Sequence, residues 1–418
     1  MKLKLGEDMM DGSSSGDENE DVISDSDSDT SSSTDINDDS EQSGIGVNND
    51  TETRQDNVER LDSEVKIENE EDDDVLKALM RERTKCREHP PDIHSDDFVV
   101  DISFHPEENI IAAATITGDV ILHKYTNEST EVINTLEVHT KACRAVEFSK
   151  DGNTLFSTSK DKSIVLCDVN IGRMKLFYDN AHENPLYCLL ILDENRIASG
   201  DDNGVVKLWD LRKKDPIWSL KEMDDYVSCM ISTEAKKYLV CASGDGTITS
   251  IDIGARKLHI QSEMYEEELT CIGTMRSETK LLVGSSKGIF YLFNWGEFGY
   301  HSDAFPGPKL AINCLLPVTE NIAVCAGEDG ALRATHFFPH RHLGVVGQHQ
   351  FSVESLDISG SGELIASCSH DQTIKFWNIK YFEDIQVDGK KKAKKKEVNH
   401  NLPSSKCSNA SDFFSELY

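Results

Sequence analysis

Residues 367–379 read SCSHDQTIKFWNI, and the recurrence of this stretch decides the fold. Five equal steps of 42 residues back from Asp371 reach Asp329, Lys287, Asp245, Asn203 and Asp161, and one further step of 44 reaches Thr117. The residue after each anchor is a glycine at 118, 204, 246, 288 and 330, with Lys162 and Gln372 the exceptions. Six residues after each anchor stand His123, Cys167, Trp209, Ile251, Phe293, Thr335 and Trp377. A fixed period of this length, built from a turn and then a strand ending in Trp-Asp or a relative, marks the blades of a propeller. Seven anchors predict seven blades.

The blade chemistry is clearest in the second repeat. RAVEF (144–148) alternates apolar and polar, SKDG (149–152) turns, TLFSTS (154–159) forms the next strand, and IVLCD (164–168) the third. Short β-branched runs broken by Asp/Gly turns are the pattern of an antiparallel meander. Arranged radially, each such unit buries its faces on its neighbours. The expectation is an all-β, seven-bladed WD-repeat β-propeller over residues 94–387. Its last blade needs a fourth strand, for which the chain before His94 and residues 381–387 (YFEDIQV) compete. Pro90 and Pro91 suit an outer edge.

Polar residues recur with the same period. In a WD-repeat blade a His near the start, a Ser or Thr two residues before the anchor, the anchor Asp and the Trp form one hydrogen-bonded chain, which satisfies all four groups out of water. His349, Ser369, Asp371 and Trp377 make a full set in the last repeat. Repeat two has His139, Ser159 and Asp161 with Cys167 for the Trp; repeat three has His182 and Trp209 with Asn203 as a weaker anchor; repeats four to six lack the His. One such set could be mistaken for a catalytic triad, but recurrence at the blade period makes it structural. No nucleophile, metal cluster or phosphate-cradling loop stands elsewhere, so the sequence reads as non-enzymatic, with no cofactor, metal or small-molecule substrate.

The flanks are charged. The chain's net charge is −33. Residues 1–74 hold 26 Asp/Glu against 5 Lys/Arg and no aromatics, a composition that cannot offset chain entropy by burial and is expected to be disordered. Within SDSDSDT (24–30), Ser24 and Ser26 are followed by acids in the pattern acidophilic kinases favour. VLKALMRER (75–83) has a short helical pattern in the lead-in 75–93. The tail 388–418 carries KKKAKKK, that is Lys390, Lys391, Lys392, Lys394, Lys395 and Lys396, which reads as nuclear or nucleolar targeting or as an RNA contact. It ends in ASDFFSELY, whose Phe413, Phe414 and Leu417 fit a short helix for a partner groove.

An acidic body disfavours broad binding to duplex nucleic acid, which needs many phosphate contacts, and favours basic proteins. The eleven cysteines include no C-x-x-C pair; Cys143, Cys188, Cys229, Cys271 and Cys314 fall at one place in their repeats and read as buried thiols of a reducing compartment. No signal-peptide pattern and no membrane-length apolar run is present, so a soluble intracellular protein is expected.

Beyond the blade period, four stretches resemble the WD repeat-containing protein 55 family: DISFHPEENIIAAATITGDVILHKY (101–125), FNWGEFGYHSDAFPGPK (293–309), PHRHLGVVGQH (339–349) and SHDQTIKFW (369–377). The segment 294–306 is the more specific, since the blade pattern does not require it. The resemblance implies a protein of the nucleus and nucleolus, with possible cytoplasmic presence, needed for ribosomal RNA maturation and, in fungi, large-subunit biogenesis. Its expected partners are basic ribosome-assembly factors or ribosomal proteins, with pre-ribosomal RNA touched through the lysine tail. Loops around the channel and the aromatics of the 294–306 segment, Trp295, Phe298 and Phe305, are the expected docking residues. The alternative is a substrate receptor of a cullin-RING ubiquitin ligase, because Trp209-Asp210-Leu211-Arg212 fits a W-D-x-R adaptor motif in which Arg212 is the informative residue.

Overall fold

The computed structural model describes residues 88–382. The expected acidic tail, the helix at 75–83, the lysine cluster, Phe413, Phe414, Leu417, Ser24 and Ser26 all lie outside them. Seven four-stranded antiparallel sheets follow one another; in six the four strands are consecutive, and the seventh takes its outer strand from Ile93–His94. The blades span 99–137, 143–178, 186–221, 227–261, 269–306, 312–348 and 353–378. Every one of the seven anchors falls in the turn between the second and third strands of its blade.

The glycine after the anchor has a steric reason. At Gly288, φ is +75° and a Cβ would stand 1.6 Å from the Pro308 carbonyl oxygen. Only a residue without a side chain allows the turn to rest on the connection to the next blade. Gly330 does the same against the connection that carries His349, whose N–H bonds the Gly330 carbonyl at 2.8 Å. Each connection is therefore stitched to the blade it leaves and to the blade it enters.

Hydrophobic burial lies between blades. One cluster joins Ala112, Val120 and Leu122 of blade 1 to Val146, Phe148 and Leu155 of blade 2, and the others repeat this around the ring. The closing cluster joins blades 7 and 1: Phe376 packs on Tyr125 (5.3 Å between ring centroids) and Phe104 (6.2 Å).

Closure is made by the N-terminal candidate. Ile93–His94 pairs antiparallel with Thr373–Asn378, Ile93 opposite Ile374 and His94 opposite Thr373. Ser95 N–H bonds the Gln372 carbonyl at 2.9 Å, extending the seam by one bond. The competing segment begins instead as a 3-10 turn, Lys380–Phe382, whose Tyr381 and Phe382 are buried against blades 6 and 7. The nine cysteines among the described residues are free thiols, eight of them buried and Cys229 half-buried. No described helix is long and apolar enough to cross a membrane.

Candidate docking face at the mouth of the central channel

Because successive strands run antiparallel, each blade presents its anchor turn and its incoming connection on one face of the ring. The turns after the first and third strands lie on the opposite face. The anchor face carries the polar networks. In blade 7 the Trp377 indole N–H donates to Ser367 Oγ (2.8 Å), Ser367 meets His349 Nε2 (2.7 Å), and His349 Nδ1 meets Asp371 Oδ2 (2.9 Å). Each donor thus finds an acceptor only if the imidazole is neutral with its proton on Nδ1. Burial pushes the His349 pKa down, against the pull of Asp371.

Two sequence expectations need correction. The serine of the network stands four residues before the anchor, not two. Ser369 instead donates to the Phe351 carbonyl (3.1 Å) and receives the Asp371 N–H (3.2 Å), pinning the turn. Ser159 likewise donates to the Lys141 carbonyl, while Ser157 meets His139 Nε2 at 2.9 Å. Blade 3 also has a complete set. Its carboxylate comes from Asp201 at the strand end, 3.0 Å from His182 Nδ1, and its serine is Ser199, which takes the Trp209 N–H at 2.8 Å and meets His182 Nε2 at 2.7 Å. Asn203 at the anchor stays exposed. In blade 2, where Cys167 replaces the Trp, Ser163 bridges His139 and Asp161.

The serines of these sets are 0–3% exposed and their oxygens are already engaged. Such a hydroxyl has no path to a substrate, so the His–Ser–Asp sets hold turns and do not attack carbonyls. Ser367→Ala is expected to cost about 1–3 kcal/mol, since it leaves both Trp377 Nε1 and His349 Nε2 without their partner. Ser369→Ala should cost less: Ser369 is itself buried, but the groups it would leave, the Phe351 carbonyl and the Asp371 N–H, belong to an exposed and a half-buried residue. Equal urea midpoints for the two variants would overturn this assignment.

The channel, ≈ 630 Å³, is lined by the inner strands of all seven blades. The inner strands also carry three carboxylates that accept from the backbone of a neighbouring blade; of these Asp101 lines the channel. Asp357 Oδ2 takes the Phe104 N–H (2.6 Å), Asp101 Oδ2 the Val146 N–H (2.8 Å) and Glu147 Oε2 the Ile191 N–H (3.2 Å). Each bond runs from one inner strand to the next blade. Burial pushes Asp101 up to about 6, Asp357 to about 7 and Glu147 to about 8, although these backbone donors pull the other way. Cys188, Cys229, Cys271 and Cys314 also line the channel, with thiol pKa values raised by burial. Among the described residues no three His, Cys, Asp or Glu side chains are grouped to hold a metal ion.

At the mouth a polar and aromatic ladder crosses blades 2 to 5. The Arg144 guanidinium donates to Asp202 Oδ1 (2.5 Å) and the Leu186 carbonyl (3.2 Å) and lies over the Tyr187 ring. Tyr187 packs on Tyr226 at 4.8 Å, and the Tyr226 hydroxyl donates to Glu268 (2.9 Å). Burial, and then Glu268, hold the Tyr226 phenol far above its ordinary pKa, so it stays a donor. Across the mouth Ser352 donates to Glu354 (3.0 Å), and His370 Nε2 approaches the same carboxylate at 3.3 Å. Phe98 edges onto His370 and is 42% exposed; Phe351 is 60% exposed.

The 294–306 segment behaves differently from expectation. It supplies the outer strand of blade 5, Asp303–Pro306, so the blade does require it. Phe298 is fully buried, with Trp295 edge-on at 5.3 Å, and packs with Tyr291 and Phe293. It therefore anchors the blade and cannot dock a partner. Phe305 stacks on His340 at 4.5 Å, and both it and Trp295 are half-buried within the ring. Arg212 is exposed on the opposite face, where it grips Asp210 with two bonds of 2.8 and 2.9 Å. It borders a cavity of ≈ 410 Å³ together with Lys150, Asp193, Arg196 and Lys236. Trp209 is buried.

A profile of the WDR55 family matches residues 90–382, the whole described ring with its closing strand. The chain belongs to the WDR55 family. It is 55% identical over 351 residues to the WD repeat-containing protein 55 homolog of Aedes aegypti, covering 84% of this chain and 75% of that protein. The homologs of Drosophila willistoni and Drosophila melanogaster are 52% and 51% identical over 353 residues, with 84% of this chain and 70% and 71% of theirs covered. The family thus accounts for the propeller, while the signals that sequence reasoning missed in the ring were the inner-strand acids Asp101, Glu147 and Asp357. A polar residue in an alternating strand looks solvent-facing; here these side chains turn to the backbone of the neighbouring blade.

Proposed function

We propose that this chain is a non-enzymatic nucleolar scaffold that acts in ribosomal RNA processing and large-subunit assembly by holding basic assembly factors or ribosomal proteins. The observation that carries the reading is a division of labour on one face. The His–Ser–Asp sets are buried in the turns, whereas Phe98, Tyr187 and Phe351 stand open around the channel mouth. Aromatic groups of this kind, beside fixed polar partners, are the usual anchors of protein association. Family membership supports the same reading. The net charge of −33, of which residues 1–74 carry −21, supports basic partners drawn by long-range attraction.

The lysines at 390–396 supply the targeting signal in this reading. Depletion is expected to raise the level of unprocessed ribosomal RNA precursors severalfold, measured by hybridisation, and a tagged chain lacking residues 390–396 should lose its nucleolar enrichment. Normal precursor levels after depletion would remove the pathway assignment. Unchanged nucleolar enrichment of the truncated chain would remove the targeting assignment.

A further inference from the structure

Charge is divided unequally between the two faces of the ring. The fourteen loops on the anchor face, which include all seven anchor turns, hold 17 Asp/Glu against 5 lysines, a net of −12. The loops of the opposite face from 105 to 382 hold 11 acids against 9 basic residues, a net of −2. Most of the imbalance sits in two neighbouring connections, 222–226 and 262–268, with seven acids and no Lys or Arg. Glu267 is turned inward to the Tyr291 hydroxyl, and Glu268 takes the Tyr226 hydroxyl. Asp224, Asp225, Glu263 and Glu266 remain exposed, and Lys287 of the next anchor turn reaches Glu267 at 3.6 Å and Glu266 at 3.9 Å.

An apolar patch faces this acidic crescent across the mouth. Phe98 and Ile116 are tied together by the Ile116 N–H bond to the Phe98 carbonyl, and Phe351 precedes Ser352, whose carbonyl takes the N–H of His370. These three side chains are 42–60% exposed. Apolar groups left open beside a concentrated charge mark an interaction surface more than a solvated loop does.

We propose that the anchor face is the docking site, and that its occupant is a Lys/Arg-rich polypeptide segment with an apolar residue at one end. The cations lie on the crescent of blades 3 to 5, and the apolar end lies on Phe98 and Phe351. This deepens the scaffold reading above and rests on it. Exposed acids in a crescent offer many weak contacts whose sum sets on-rate and register, while the apolar end fixes the orientation. A face with a near balance of charge has no such preference.

The test uses the full chain and a fluorescein-labelled synthetic peptide in which Lys and Arg alternate with Gly and one end carries Phe-Leu. Asp224→Lys, Glu263→Lys and Glu266→Lys together should weaken binding by about tenfold or more in fluorescence anisotropy. Glu107→Lys, Glu128→Lys and Glu194→Lys make the same change of charge on the opposite face and should stay within about twofold of the wild type. Phe351→Ser should weaken binding of this peptide but not of one lacking Phe-Leu. Equal losses in the two triple variants would overturn the assignment of the face, leaving only general attraction by the net charge. Insensitivity to Phe351→Ser would overturn the apolar end. Neither failure touches the precursor measurement, which tests the scaffold reading separately.

Discussion

Phe376→Ala is expected to destabilise the ring by about 3–5 kcal/mol, the largest effect of any single truncation considered for this fold. Phe376 is 1% exposed and belongs to the one interface whose two sides come from opposite ends of the propeller. Its ring meets Tyr125 and Phe104 across the seam, and its strand also carries the pairing to Ile93–His94. The closing strand contributes only two paired residues, so packing has to hold the seam. Other interfaces connect blades already joined by the chain and lose less chain order when they loosen. Phe376→Leu keeps most of the volume and should cost about 1–2 kcal/mol. A urea midpoint for Phe376→Ala within error of the wild type would show that closure does not depend on this contact.

The second large effect is a dependence on pH. Glu147 has a folded pKa of about 8 against an ordinary 4.5, so between those values the folded state binds a proton that the unfolded state does not. Stability from this proton is fully present below about 4.5, is lost as pH rises through the folded value of about 8, and changes no further above it. Asp101 and Asp357 act in the same sense, through values of about 6 and 7. The buried histidines oppose them. His139, His182 and His349 are held neutral below their ordinary 6.5, so their contribution is lost as pH falls below it. Glu147→Gln keeps an oxygen for the Ile191 N–H but cannot ionise. With allowance for channel water, it should stabilise the ring by about 1–3 kcal/mol at pH 9 and have little effect at pH 5. Melting temperatures that fall equally between pH 6 and pH 9 in both proteins would show that the carboxylate is solvated.

Much of the ring can be read from residue spacing. The 42-residue period sets the blade number because each blade must bury the same faces on its neighbours, which constrains turn residues and strand lengths alike. The closing strand is not legible in this way, since Ile93–His94 is too short to carry a periodic pattern. The network serine was ambiguous for a related reason. Ser367 and Ser369 lie on the same side of one strand, and only their height along it decides which one reaches the imidazole. In blade 3 the residues Asp201, Asp202 and Asn203 offer three acceptors in succession, and the structure uses the first, shifted two positions from the period.

The exposed aromatics at the channel mouth were legible in part. Loops around the channel are where the open aromatics stand, but Phe298 shows the limit of reading an aromatic-rich segment as a surface. Phe298 stands in a segment without a strand pattern of its own and is the plug against which Tyr291 and Phe293 of its blade pack. Charge division between faces was hidden because it depends on sorting loops by the end of the strand from which they leave.

The central claim is that assembly work is done from the acidic anchor face. Its most direct test is rescue of depleted cells by full-length chains carrying either triple lysine change, with ribosomal RNA precursors measured after equal expression is confirmed. Wild type and the Glu107, Glu128, Glu194 variant should restore processing, and the Asp224, Glu263, Glu266 variant should leave precursors accumulated. Full rescue by the anchor-face variant would contradict the account.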